Sequence, residues 1–182
     1  MRYWIDSADR LARVDDAWRA FAVMNGAPEL ASESILNRHL FSFCSDLTTQ
    51  EVWAGFLTRV RGGASVEVQI RCDSPASRRL FDVHLSSEGD MVAVVAEPVW
   101  EEDRARVELL EVNRLSTDAL LVCCSWCKKW RTSSGLWVEV EELVSELDLM
   151  QQAQLPRVSH GICEECRRKF WEERRRLTTR CS

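Results

Sequence analysis

Two short cysteine motifs organise the chain: Cys124-Ser125-Trp126-Cys127 and Cys163-Glu164-Glu165-Cys166. In each motif a tight turn can present two thiolates to one ion, and two such turns together complete a tetrahedral site. Thiolates are soft ligands that favour zinc or iron–sulfur chemistry over magnesium or calcium. The pattern therefore predicts a zinc ion held by four cysteines: Cys124, Cys127, Cys163 and Cys166.

Two neighbouring residues leave alternatives open. His160 lies three residues before Cys163 and could replace a thiolate, although a histidine in such a place more often donates to a ligand or orients the loop. Cys123 could exchange with a ligand or act as a redox thiol, but we favour an inert core cysteine. The alternative to a metal site is a set of buried or redox-active thiols.

The metal is predicted to be structural. Lys128 follows the first motif where haem attachment would require histidine, and none of the three histidines begins the H-x-E motif of zinc deaminases. A closed set of four thiolates also leaves no position for a water molecule. Because we find neither a nucleophile–base pair nor a phosphate-binding loop, we expect the chain not to be an enzyme.

Around the motifs the sequence predicts a small zinc module. A turn at 132–135 separates two short strands, and apolar residues from Val140 to Leu147 recur at helical spacing. The second motif leads into a predicted terminal helix over 167–177. A cysteine turn, a hairpin and a helix that begins at the second turn follow the order of a treble-clef-like module.

The first hundred residues predict a sheet with small helices. A helix is expected after Asp15 or Asp16, where an aspartate can cap it, and another over 48–61, which Gly62-Gly63 ends. Alternating or continuous apolar residues predict five strands, at 3–5, 11–14, 66–70, 80–85 and 91–96. The fold class is therefore α+β.

This part resembles the PAS family, over about residues 2–98. The resemblance is carried by the stretch from Ile5-Asp6-Ser7-Ala8-Asp9-Arg10 to Trp18 and by Leu40-Phe41-Ser42-Phe43-Cys44-Ser45-Asp46. It implies a five-stranded antiparallel sheet under helices, often with a ligand cavity between them. The ligand is unknown: haem ligation by His39 or His84 is disfavoured, and the Asn-Cys-Arg context of flavin photosensors is absent around Cys44.

The whole chain is similar to a group of small bacterial stand-alone proteins with a PAS-like front and a cysteine-rich end. Four phrases carry this similarity: Arg71-Cys72-Asp73-Ser74-Pro75, Cys124-Ser125-Trp126-Cys127-Lys128-Lys129, Trp137-Val138-Glu139-Val140-Glu141-Glu142 and His160-Gly161-Ile162-Cys163-Glu164-Glu165-Cys166. Glu164 departs from the proline we expect there, but both ligands are intact. Similar modules follow PAS or receiver domains in bacterial signalling proteins, so the resemblance implies a signalling context and no reaction.

The predicted organisation is a PAS-like sensor domain at 1–98, a linker or signalling helix at 99–118 and the zinc module at 119–182. The linker is charged and helix-prone between Glu101 and Ser116. Because PAS-like domains often pair through such segments, we expect a homodimer.

Composition limits the function further. The chain has 182 residues, 46% hydrophobic and 29% charged, which is typical of a globular protein. It has no apolar run long enough for a membrane span and no signal peptide at its start, so we expect a cytoplasmic protein that does not bind membranes.

The net charge of −5 does not suggest a general nucleic-acid binder. Residues 167–176 mix basic and aromatic side chains, which could bind DNA or RNA, but a solvated helix is the favoured interpretation. The leading hypothesis is a non-enzymatic signalling protein whose zinc module contacts a partner protein. A DNA-binding transcriptional regulator and a thiol redox sensor are the alternatives.

Overall fold

A computed structural model describes residues 1–44, 46–111 and 115–170 of the chain. The first sheet consists of β1 (Arg2–Ile5), β2 (Leu11–Val14), β3 (Val66–Arg71), β4 (Ser77–Glu88) and β5 (Met91–Asp103). Its strands are all antiparallel, in the order β2-β1-β5-β4-β3. The structure thus confirms the mixed α+β class, the five-stranded antiparallel sheet and the five predicted strands.

The alternation of side chains decides which face of this sheet is buried. On β4, Phe81, Val83 and Leu85 are buried whereas Asp82 between them is exposed, as the two-residue period of a strand requires. The buried face is covered by helices and forms the first hydrophobic core, whose members are Tyr3, Ile5, Leu11, Val14, Ile35, Leu40, Leu57, Val60, Val66, Phe81, Val83, Leu85, Val92, Val94 and Ala96.

Two α-helices lie between β2 and β3 in the chain: α1 (Asp16–Met24) and α2 (Leu47–Arg61). Asp15 caps α1 by accepting a hydrogen bond from Trp18 N–H, and Asp46 caps α2 by accepting one from Thr49 N–H. Short 3₁₀ segments join them, at Pro28–Ala31, Glu33–Ile35 and Leu40–Phe43. After α2 the chain turns at Gly63, whose φ of +91° is a conformation that favours glycine.

The second sheet contains β6 (Ser116–Cys124), β7 (Trp130–Arg131), β8 (Trp137–Val138) and β9 (Leu155–Gly161), in the order β8-β7-β6-β9. Strands β7 and β8 are the predicted hairpin, and α3 (Val140–Glu146) is the predicted helix after it. The long strands β6 and β9 pair in parallel, which the sequence analysis did not predict.

A second core lies beneath this sheet and α3, and it is formed by Val107, Leu109, Cys123, Trp130, Val140, Leu143, Leu149 and Leu155. A helix is described at 164–170, which includes the first four residues of the terminal helix predicted over 167–177, and residues 171–177 lie outside the described part. Among the helices that the structure describes, none is long and apolar enough to cross a membrane.

The predicted linker helix is wrong. Strand β5 continues to Asp103, a 3₁₀ turn follows at Glu108–Leu110, and β6 begins at Ser116, while residues 112–114 lie outside the described part. Two of the apolar residues that suggested a helix, Val107 and Leu109, are instead buried in the second core before and within this 3₁₀ turn. The expected homodimer loses the helix on which it was based.

Candidate metal centre

The parallel pairing of β6 and β9 brings the two cysteine motifs together. Cys124 ends β6 directly beside Gly161 at the end of β9. Neighbouring parallel strands end at the same edge of a sheet, so the turns that follow them meet there. The first turn supplies Cys127, and the second supplies Cys163 and the helical Cys166.

The four sulfur atoms have the spacing of a tetrahedral metal site. All lie within 4.8 Å of one another, and the Sγ atoms of Cys127 and Cys163 are 3.7 Å apart. A zinc ion with bonds of about 2.3 Å to four thiolates separates neighbouring sulfurs by roughly 3.8 Å, whereas a disulfide requires about 2.05 Å. The four cysteines can therefore hold a metal ion.

Backbone amides support negative charge on these sulfurs. Cys163 N–H donates to Cys124 Sγ, and Cys166 N–H donates to Cys163 Sγ, each with an N···S distance of 3.4 Å. The first turn closes with Lys128 N–H bonded to Cys124 O and with Lys128 at a φ of +59°. Amide donors of this kind stabilise thiolates before and after a metal binds.

The thiols also perturb one another. Hydrogen bonds from Cys127 and Cys166 hold the pKa of Cys124 far below its usual value. The same contacts act in the opposite direction on the donors: the bond to Cys124 raises the pKa of Cys127 to about 12, and the bonds to Cys124 and Cys127, together with burial, raise that of Cys166. A divalent cation would displace the protons shared among these thiols and compensate the charge of the four thiolates together.

The alternative residues lie elsewhere. Among the described residues, the group that could hold a metal contains the four cysteines and not His160, which lies on β9 opposite Cys123. Burial lowers the pKa of His160. Cys123 is 3% exposed and packs in the second core, which raises its pKa to about 12, as expected of an inert core cysteine.

Trp126, inside the first motif, joins the centre to the first sheet. Its ring is 5% exposed and contacts Trp53 and Phe56 of α2 and Phe170 of the terminal helix. Its carbonyl accepts a hydrogen bond of 2.9 Å from the amide of Arg71, at the end of the edge strand β3. The sequence analysis missed this role, since a tryptophan between two ligands can equally face solvent.

A cluster of ion pairs forms a second link between the two parts. Arg71 donates to both carboxylate oxygens of Glu139 at 2.8 Å and also to Asp73. Arg104 reaches Asp73 at 3.4 Å and Glu141 at 3.2 Å. The side chain of Asp73 is only 4% exposed, so its charge depends on these two arginines. Two phrases that carried the resemblance, around Arg71 and around Glu139, therefore meet in space.

Glu141 makes the stability of this link depend on pH. Burial would raise the pKa of its carboxyl, but the hydrogen bond from Arg78 and the charges of Arg78 and Arg104 outweigh burial and lower it. A lowered pKa in the folded state stabilises the protein above the unfolded value of about 4.3, and this stabilisation is lost as the pH falls through the folded value.

We expect Glu141→Gln to lower the free energy of unfolding by about 1 kcal/mol at pH 7, a modest cost because the carboxylate is partly exposed. Urea titrations of both proteins at a series of pH values measure the difference. It should shrink below about pH 4.3. A difference that stays constant down to pH 3 would contradict the role of the Glu141 charge.

The other candidates are not brought to the centre. His39 caps a 3₁₀ turn by accepting a hydrogen bond from Phe41 N–H, and His84 lies on β4 beside Glu67. Residues 171–176 of the basic stretch lie outside the described part. Among its described residues, Lys169 forms an ion pair with Glu165.

In the described part of the chain two cavities border the cysteine module: one of about 750 Å³ lies against β3 and β4, and one of about 720 Å³ lies against α2. Phe170 lines both cavities, and Cys127 and Cys166 line the larger one. Neither cavity lies between the first sheet and the helices that cover it, where the PAS resemblance places a ligand. A ligand bound in the PAS-like domain therefore stays a prediction.

Comparison of the chain with protein-family models, with curated proteins and with solved structures finds no match. The class of protein is therefore defined by the fold and the centre themselves. It is a mixed α+β protein in which a group of four cysteines able to hold a metal ion is packed against a five-stranded antiparallel sheet.

Proposed function

We propose that this chain is a non-enzymatic regulatory protein in which a PAS-like domain is coupled to a structural zinc module that contacts a partner protein. The observation that carries the proposal is the position of Trp126. This residue lies between Cys124 and Cys127 in the sequence, and its ring packs against α2, the helix that covers the first sheet. Through this contact a conformational change in one part alters the conformational equilibrium of the other, without any catalytic step.

Zinc is the metal that the donor set favours. Four thiolates are typical of structural zinc sites, and their tetrahedral spacing leaves no position open for water. Three of the four cysteines are buried, and Trp137 and Ile162 pack against the group. The arrangement supports a metal that holds the fold together rather than one that activates a substrate.

The identity of the two parts is supported by their architecture. The antiparallel sheet with α1 and α2 over one face is what the PAS resemblance implies. The cysteine turn, the β7–β8 hairpin and the helix at 164–170 follow treble-clef order. The parallel β6–β9 pair and α3 are additions to that order.

A cobalt-substituted protein tests the structural role of the centre. We expect one Co²⁺ per chain with the intense visible absorption of tetrahedral thiolate coordination, unchanged by cyanide because no position is open. A spectrum that shifts with cyanide would indicate an open, catalytic type of site. Contact with a partner is tested by affinity purification from the native cells, where the partner should be retained by the wild type and lost with Cys163→Ser.

A redox sensor is the second candidate, since the Sγ atoms of Cys127 and Cys163 are only 3.7 Å apart. Once a bound metal leaves, these two sulfurs can react with each other. In that case mild peroxide releases zinc and forms disulfides. A centre that keeps its zinc under peroxide supports the structural role alone.

A further inference from the structure

The second half of β5 has an unpaired edge. On one side, residues 97–103 pair with β4, with a bulge at Val99 where the register shifts by one residue. On the other side β1 covers only Val92–Val95, and the last bonds across that gap join Ala96 to Met1. Within the part of the chain that the structure describes, no strand pairs with Glu97–Asp103 on that side, and all seven residues are exposed.

The backbone along this edge is oriented to receive a strand. Arg104 N–H donates to Ala76 O, on the β4 side. Because successive residues of a strand direct their amides to opposite sides, Asp103 and Glu101 direct their N–H and C=O groups away from β4. Pro98, which has no N–H, marks the end of the stretch that can donate.

The side chains of this edge define the chemistry of a partner. The segment Glu97-Pro98-Val99-Trp100-Glu101-Glu102-Asp103 contains four acidic residues and no basic residue. Two apolar side chains are exposed among them, Val99 at 47% and Trp100 at 38%. An extended segment that alternates Lys or Arg with apolar residues complements both features.

A second copy of the chain does not complement this edge. Antiparallel self-pairing centred on Trp100 would place Glu97 opposite Asp103, and like charges directly opposite one another destabilise a strand pair. Charge also protects such an edge from unspecific association, since it selects against neutral and acidic strands.

We propose that the free edge of β5, from Val99 to Asp103, binds an extended basic segment of a partner protein by strand addition. This goes beyond the function proposed above, because the edge lies on the first sheet and needs neither the metal nor the cysteine turns. The backbone of Glu101 and Asp103 supplies the hydrogen bonds, and the carboxylates select the charge of the partner.

The probe is a fluorescein-labelled peptide of alternating lysine and valine, seven residues long, measured by anisotropy at low salt. A peptide of alternating glutamate and valine, and a lysine–valine peptide with proline at its centre, are the controls. We expect only the first peptide to bind. In amide hydrogen exchange followed by NMR, it should protect Glu101 and Asp103.

Two variants separate backbone from charge. Glu101→Pro removes an outward N–H that β4 does not use. Glu101→Gln keeps that N–H and removes the charge of the carboxylate, which lies 3.9 Å from Arg79 Nε on β4. We expect the proline variant to bind the peptide about five- to tenfold more weakly, and the glutamine variant only about twofold more weakly. Unchanged exchange of Asp103 in the wild type would overturn the proposal, and this readout does not depend on the folding of the variants.

Two further outcomes also overturn it. One is equal binding by the proline and glutamine variants. The other is a dimer of the wild type that Glu101→Pro dissociates, which would assign the edge to a second copy. The metal content of the purified protein separates this proposal from the preceding one. Protein that purifies without zinc refutes the structural zinc centre, while the peptide titration still measures binding at β5.

Discussion

The Cys163→Ser variant is expected to purify without bound metal and with an unfolded cysteine module. Cys163 is 2% exposed, and its sulfur is one of the four that a metal would join. In zinc-finger peptides the metal contributes about 10 kcal/mol or more to folding. Since serine is a poor ligand for zinc, the loss should exceed the effect of any single substitution outside the four cysteines.

Native mass spectrometry of protein purified without chelator measures this effect as the number of metal ions per chain. Cys123→Ser is the matched control, because Cys123 is a buried neighbour that packs in the second core instead of facing the other sulfurs. The control should retain one metal ion. A full complement of metal in Cys163→Ser, or its loss in Cys123→Ser, would refute the assignment of the ligands.

Trp126→Ala is expected to lower the free energy of unfolding by about 3–5 kcal/mol, the range for removing a large buried aromatic side chain. The substitution leaves a cavity between α2 and the centre, where the ring now contacts Trp53, Phe56 and Phe170. All four cysteines remain, so we expect the variant to retain its metal while the two parts of the molecule separate more easily.

Urea unfolding of the metal-loaded proteins measures this loss, with Trp100→Ala as the control. Trp100 is 38% exposed, and its removal should cost less than about 1 kcal/mol. Equal effects of the two substitutions would show that Trp126 does not join the parts. A variant that loses its metal would indicate that the ring acts on the ligands directly.

Much of this arrangement follows from local sequence. The cap at Asp15, the alternation of β4 and the β7–β8 hairpin are determined by neighbouring residues and were predicted. The cap at Asp46 is equally local, but the sequence analysis did not name it. The four cysteines were also predicted, because two C-x2-C turns restrict the ligands of a single ion.

The remainder depends on contacts between distant residues. The segment from Glu101 to Ser116 has a helix-prone composition, yet β4 offers its first residues, up to Asp103, a strand partner, and this pairing outweighs a weak local preference. The parallel pair β6–β9 links residues on opposite sides of α3, and parallel pairing leaves no turn signal in the sequence. Arg71 and Glu139, which form an ion pair, are 68 positions apart in the sequence. The sequence analysis quoted the stretches around both residues as part of the resemblance, but gave no reason to place them in contact.

Hydrogen exchange of the zinc-loaded and the chelated protein tests most directly whether the metal joins the two parts. The decisive amide is that of Arg71, which donates to Trp126 O across the junction. The account predicts that this amide is protected with zinc and exchanges much faster after chelation, while Val83 within the first sheet stays protected. Equal protection of Arg71 in both samples would contradict it.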